Sequence, residues 1–208
     1  MMTESGITRE DSDVGGFILV GGESRRMGCD KAWLEIGGKP LLLRAAELLR
    51  PYVDSITLLG SNERYGAYGF PVLPDRWLGR GPLAALLTGL ESARHEWNLF
   101  VACDLPLLDG RFFSLLLRCR QEAGFDAVVA MTSIGWQPLC AAYHRSCVPV
   151  MQKALEVGQA GIIDVLPKLR VNKILNDRLH AEGFREDIFE NVNSPEDWQR
   201  ISQQFPRL

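Results

Sequence analysis

Residues 21–31 read Gly-Gly-Glu-Ser-Arg-Arg-Met-Gly-Cys-Asp-Lys. Glycines let main-chain N–H groups approach an anion closely, and the cations Arg25, Arg26 and Lys31 would neutralise it. A polyphosphate is the ligand that suits both. Two familiar phosphate loops fail on spacing. A Walker loop needs a lysine directly after its last glycine, but Gly28 is followed by Cys29-Asp30-Lys31. The dinucleotide pattern G-x-G-x-x-G is absent as well. A glycine-rich surface turn with solvated arginines is the plainer alternative. The segment's place, directly after the apolar run Gly16-Phe17-Ile18-Leu19-Val20 and ending in Lys31, favours the phosphate reading.

Three further segments carry polar chemistry. Asp104 ends the run Phe100-Val101-Ala102-Cys103, where a carboxylate could meet a phosphate-bound Mg²⁺; it could equally cap the turn before Pro106. Asp75-Arg76-Trp77-Leu78-Gly79-Arg80-Gly81-Pro82 sets an acid, two cations and two glycines before a helix start. Asn191 and Asn193, in Asn191-Val192-Asn193-Ser194-Pro195, could ligate a metal or ligand, although asparagine also caps helices. His95, His144 and His180 match no ligand spacing, and no G-x-S-x-G elbow points to a covalent hydrolase. The five tryptophans read as core or groove residues.

The elements that must position these residues follow from hydrophobic period. The run 16–20 reads as a buried parallel strand, and 55–59, 97–103, 127–131, 139–143 and 171–175 as further strands. The short run 70–73 contains Pro71, which suits an edge. Helices are expected from Pro40 through 52, over 82–93, over 111–123 and over 148–156, with a last one opened by Ser194 as N-cap. Strands alternating with helices predict an α/β fold with a mainly parallel sheet, whose ligands bind beyond the carboxyl ends of the strands. Residues 1–14 read as a mobile tail and 15–208 as a single domain.

A net charge of −3 over 208 residues excludes the electrostatic footprint of a nucleic-acid or anionic-membrane binder. No apolar run approaches the roughly 20 residues of a spanning helix, and the first residues lack a secretion signal's pattern. The five cysteines form no C-x-x-C pair. The expectation is a reduced, cytoplasmic protein.

Together these residues carry a resemblance. Leu19-x-Gly-Gly-x-Ser-x-Arg-Met-Gly-x-x-Lys31, Gly81-Pro-Leu, Cys103-Asp-Leu-Pro, Gln137-Pro-Leu and Asn191-Val-Asn-Ser-Pro-Glu-Asp resemble the molybdenum cofactor guanylyltransferase (MobA) family, in order, from about residue 16 to about residue 203. The resemblance implies a three-layer, Rossmann-like nucleotidyltransferase fold. It implies transfer of GMP from GTP to molybdopterin with Mg²⁺, giving the guanine dinucleotide and pyrophosphate. Lys31, Arg26 and Asp104 would be catalytic. Leu19, Val20, Gly21, Gly22, Ser24, Lys31, Gly60, Asp75 and Asp104 would contact GTP, and Asp104 and Asn193 the metal. The family often has an asparagine where this chain has Gly60, with Asn62 two residues on, and a glycine where it has Ala85. For the acceptor, Arg145, Lys153, Lys168, Arg170 and Lys173 are the available cations. Handover of the product to another cofactor-synthesis protein or molybdoenzyme would follow. A CTP-using transferase of the same build, and a non-catalytic nucleotide-binding protein of the same fold, are the competing readings.

Overall fold

The computed structural model describes residues 13–20, 30–74, 76–77 and 80–205. Val14–Leu19 (β1) is buried along its whole length and lies centrally, paired in parallel with Ser55–Leu59 (β4) and Trp97–Ala102 (β6). Between β1 and β4 come a small hairpin, Glu35–Ile36 (β2) and Lys39–Pro40 (β3), and the helix Leu41–Leu49 (α1). Asn62–Tyr65 (α2) and Val72–Leu73 (β5) follow, then Gly81–Ser92 (α3) before β6. After β6 the order is Arg111–Cys119 (α4), Ala127–Thr132 (β7), Gly135–His144 (β8), Val148–Glu156 (α5), Val171–Leu175 (β9), Asn176–Ala181 (α6) and Pro195–Ser202 (α7).

The main sheet has seven strands in the order β5-β4-β1-β6-β8-β7-β9. All run parallel except β8, which is antiparallel to both β6 and β7. The α/β architecture and the mainly parallel sheet expected from sequence are therefore present. The active-site end, beyond the carboxyl ends of the parallel strands, also holds the start of β8.

Alternating strand residues feed two cores. On one face Ile18, Leu58, Val101, Val128 and Ile174 pack with Leu42 and Ala46 of α1, Phe112 and Leu116 of α4, and Leu179 of α6. On the other, Phe17, Leu59, Phe100 and Val129 pack with Leu83, Leu86, Leu87 and Leu90 of α3 and Met151 and Leu155 of α5. Because α3 lies between sheet and α5, it is apolar on most of its circumference. Gly89 lets it sit close: a Cβ there would lie 2.7 Å from Phe100 Cε1. The helix thus accepts a residue that weakens it locally in exchange for tight contact with the strand.

Several boundaries differ from the sequence reading. β1 already includes Val14, inside the segment expected to be a tail, because Val14 is buried and pairs with Trp97; residues 1–12 lie outside the described residues. Pro40 precedes the first turn of α1 as its N-cap instead of occupying it. α4 ends at Cys119, well short of 123: of the residues from Arg120 to Gly124 only the small Ala123 is apolar, and it stays exposed. β8 begins at Gly135, four residues early. Its first part is hidden from a pattern reading by Pro138, which the strand accommodates at an irregularity: the β7–β8 register shifts between Val129 and Met131. The hairpin β2–β3 was not anticipated, although Gly37 and Gly38, both at positive φ, are its signal.

At the end of the sheet away from the site, Asp126 joins three segments. It accepts from Arg170 Nε (3.0 Å), Nη2 (2.7 Å) and main-chain N–H (3.1 Å), and from Ser146 Oγ (2.8 Å). The Arg170 guanidinium holds its carboxyl well below the usual carboxylate range. A depressed folded pKa contributes stability that is complete above the unfolded value, about 4, and is lost as pH falls through the folded one. Asp126→Asn should therefore lower the urea unfolding midpoint at pH 7, and the gap to the wild type should narrow as pH falls below about 4. A pH-independent gap would mean that the carboxylate's charge contributes nothing.

Candidate active site

Lys31 follows the glycine-rich segment and opens a single 3₁₀ turn, Lys31–Trp33. Asp30 caps that turn: its Oδ1 accepts from the Ala32 N–H at 3.1 Å. Its other oxygen meets the Tyr65 hydroxyl at 2.5 Å, and that hydroxyl also lies 2.6 Å from the Val20 carbonyl. Tyr65 is buried, and burial together with Asp30 pushes its ionisation far above the ordinary phenol range. It is a neutral strut that ties the start of the Lys31 turn to the end of β1.

From there the Lys31 ammonium bridges two distant segments. Its Nζ donates to Asp104 Oδ2 at 3.2 Å and to Asn193 Oδ1 at 2.7 Å. Asn191 Nδ2 donates to the other Asp104 oxygen at 3.2 Å, and the Val192 N–H donates to the Asp104 carbonyl at 3.0 Å. Three of the residues singled out from sequence, Lys31, Asp104 and Asn193, thus converge at the carboxyl end of β6. Asn191 joins them as the residue that orients the carboxylate. Its place in the Asn191-x-Asn193 segment was the available signal, but a sequence cannot say which of two asparagines faces which acid.

A small third core holds this convergence. Ile36, Leu41, Val192 and Ile201 are buried together, with Leu34, Leu107, Trp198 and Phe205 packed against them. The β2–β3 hairpin, the turn after Asp104 and the segment from Asn191 through α7 all contribute. The helix itself starts with a full capping box: Ser194 Oγ accepts from Asp197 N–H, and the Asp197 carboxylate accepts from the Ser194 and Asn193 N–H groups. The cap therefore also fixes the backbone of Asn193.

Other expected contacts divide differently. Gly60 donates its N–H to Leu73 O at 2.9 Å, and a Cβ there would meet Val20 Cγ2 at 2.8 Å. Its glycine identity is thus explained by packing, and its N–H is not free for a base. The Val20 N–H is likewise held, by Leu59 O. Leu19 ends β1, and its carbonyl accepts from Cys103 N–H, joining the two strands that carry the site. Arg76, one of the cations before α3, is ion-paired with Glu91. Gly21, Gly22, Ser24, Arg26 and Asp75 lie outside the described residues.

The available acceptor cations also separate. Arg170 is engaged by Asp126, and Arg170, Lys168 and Arg145 all lie at the opposite end of the sheet, before β9 or after β8. Lys153 is exposed on α5. Lys173 alone is set toward a ring, with its Nζ 5.3 Å from the Trp136 centroid. The histidines serve structure: His95 contacts Asp13 and Asp54, and His144 contacts Glu96 and Ser146.

The donor set can be tested against Mg²⁺. Asp104 and Asn193 offer hard oxygen donors, which suit the ion, and both oxygens already face one positive centre, the Lys31 ammonium. Among the described residues no group of three or more His, Cys, Asp or Glu side chains could hold a metal by itself. One carboxylate suits an ion that arrives largely ligated by substrate phosphates.

Comparison with known proteins bears on the family and the fold. A family model described as the MobA-like NTP transferase domain matches residues 16–172. The chain is 37% identical to a probable molybdenum cofactor guanylyltransferase of Bacillus licheniformis, with 91% of this chain and 96% of that one covered. It is 34% identical to one of Pelotomaculum thermopropionicum, over 88% of each. The molybdopterin-guanine dinucleotide biosynthesis protein A of Archaeoglobus fulgidus superposes with a TM-score of 0.80 at 24% identity, covering 91% of this chain and 97% of that chain.

The strut makes a direct prediction. Tyr65→Phe removes the hydroxyl that serves Val20 O and Asp30, and should cost about 1–2 kcal/mol of unfolding free energy in urea titrations. It should also reduce turnover by freeing the Lys31 turn. Unchanged stability would show that the hydroxyl is not a net contributor.

Proposed function

The chain belongs to the MobA-like NTP transferase family, and we propose that it is a molybdenum cofactor guanylyltransferase in which Lys31, Asp104 and Asn193 carry the transfer of GMP from GTP to molybdopterin. A terminal phosphate of the acceptor attacks the α-phosphorus of GTP. A new P–O–P bond forms as the bond to the β-phosphate breaks, and pyrophosphate leaves with the electron pair. The observation that carries this reading is the single ammonium held between a carboxylate and an amide oxygen, directly after a glycine-rich segment.

Both reactants are anions, so their repulsion and the charge on the leaving group dominate the barrier. Lys31 can exchange its present partners for phosphate oxygens and place a full positive charge beside them. Asn191 keeps the Asp104 carboxylate oriented while this happens. The nucleophile needs no strong general base, since a phosphate monoester is largely deprotonated near neutral pH. The resemblance adds Arg26 as a second cation, with Gly21, Gly22, Ser24 and Asp75 on the nucleotide. Asp104, with Asn193, would hold Mg²⁺, which supplies charge neutralisation on the phosphates when bound. The buried thiol of Cys103, pushed up mainly by desolvation, is no candidate for a covalent intermediate.

Two alternatives are separable. A CTP-using enzyme would share the phosphate machinery and differ only at the base. A non-catalytic nucleotide-binding protein would not need Lys31, Asp104, Asn191 and Asn193 in mutual contact. Handover of the product to another cofactor-synthesis protein or a molybdoenzyme belongs to this reading, and pull-down with molybdoenzyme precursors tests it. Among the described residues no helix is long and apolar enough to cross a membrane.

Calorimetry with GTP, CTP, ATP and UTP in the presence of Mg²⁺ should show binding of GTP in clear preference to CTP. Preference for CTP would move the chain to the cytidylyl branch. Lys31→Ala and Asp104→Asn should each lower kcat by roughly 10²–10³-fold, with Asp104→Asn also weakening the response to Mg²⁺. Full Mg²⁺-dependent turnover by Asp104→Asn would remove the metal assignment.

A further inference from the structure

Two of the large apolar side chains left exposed in the described residues, Met131 and Leu175, stand side by side at the active-site end of the sheet. Single exposed apolar residues are ordinary, but a contiguous group at the ligand end of a sheet is informative. The strand register shows that it is contiguous. Met131 lies opposite Leu175 of β9 on one side and opposite Trp136 of β8 on the other. Directly paired residues point to the same face, so Trp136, Met131 and Leu175 form one row across three strands. Val129 and Val171 lie on the same strand face, packed into the core under α3 and α5, and Lys173 shares it by alternation along β9. The Lys173 ammonium sits 5.3 Å from the centroid of the Trp136 ring.

This ledge and the catalytic group share the carboxyl end of the sheet, and between them β8 departs from its neighbours. Its pairing with β6 ends at Val101 opposite Cys140, three residues before Asp104. Beyond that point Pro138 offers no N–H, and the β7–β8 register shifts, so residues between Trp136 and Cys140 are released from regular pairing. Tyr143 Oη donates to the Pro138 carbonyl at 2.8 Å and fixes the departure from below. Gln137 is anchored to Thr132 Oγ1 and the Gly135 carbonyl. The carboxyl edge thus divides between Asp104, just after β6, and the Trp136 row on β8, β7 and β9.

We infer that the Trp136–Met131–Leu175 row, with Lys173 beside the indole, receives the planar part of the acceptor's fused ring system, leaving its phosphate to reach the Lys31–Asp104 group. The inference rests on the guanylyltransferase reading and specifies its second substrate's subsite. A planar ring gains most from an aromatic face and adjoining apolar side chains, and a cation beside the indole favours an anionic ligand. The other acceptor cations at hand lie at the far end of the sheet or on α5, so Lys173 is the one that fits.

The test separates the two readings. GTP binding to the wild type is measured first by calorimetry, and failure there overturns the guanylyltransferase reading and this inference with it. Transfer of labelled GMP is then followed with molybdopterin varied at saturating GTP. Trp136→Ala should raise the acceptor KM roughly tenfold, consistent with the loss of one stacking contact, with GTP binding unchanged. Trp136→Phe should restore most of the difference, and Lys173→Met should raise the acceptor KM by a smaller factor. An acceptor KM unchanged in Trp136→Ala, or a shift in GTP affinity of equal size, would overturn the ledge while leaving the guanylyltransferase reading intact. Recovery of the acceptor KM in Trp136→Phe at a wild-type thermal midpoint supports the ring contact, and no recovery at that midpoint overturns it.

Discussion

One ammonium group organises the site. Lys31 reaches Asp104 and Asn193, 73 and 162 positions away in the chain, and brings the ends of β1 and β6 together with the approach to α7. A lysine poised for phosphate would ordinarily be a costly thing to keep in a partly desolvated place. Here the lysine and its carboxylate partner are each about one-fifth exposed, and each satisfies the other. On the proposed function, an arriving polyphosphate would exchange one anionic partner for another instead of confronting an unpaired cation.

That exchange demands that the three segments stay in register, and the two large cores do not ensure it. They fix the sheet and its helices, but Lys31 and Asn193 sit outside both. The small core of Ile36, Leu41, Val192 and Ile201 does this task. It clamps the hairpin after Lys31 to the segment bearing Asn191 and Asn193, while the Arg44 guanidinium stacks over Phe205 at 4.8 Å and donates to Pro106 O. Site geometry thus depends on a few buried contacts that lie outside the two large cores.

What the sequence disclosed follows from how local each signal was. The strands at 55–59 and 171–175, the helix at 148–156 and the Ser194 cap were legible because each is specified by residues a few positions apart. Lys31, Asp104 and Asn193 were legible as chemistry because their types and neighbours are unusual. That they touch was not, since no local pattern joins positions so far apart. The longer β8 was hidden by Pro138, and the early end of α4 by Ala123, a good helix former that stays exposed beyond it. At Val20 and Gly60 the main-chain N–H groups are held by neighbouring strands, a constraint that no local pattern displays, so a nucleotide contact there would use other atoms.

The position of β8 connects these observations. A purely parallel sheet would bring β6 and its neighbour to the active-site edge in the same sense, each ending in a loop. Because β8 runs the other way, it starts at that edge, and the proline near its start prevents it from pairing fully with β6. The sheet is thereby closed below, where Leu99, Phe100 and Val101 pair with Ala142, Ala141 and Cys140, and divided above, beside Asp104. Electrostatics and topology then agree. Lys31 approaches from the β1 side, and the apolar row with Lys173 lies on the β8 side. A carboxylate held between two sides of such different character is suited to join two unlike ligands, one recognised by its phosphates and the other by its ring.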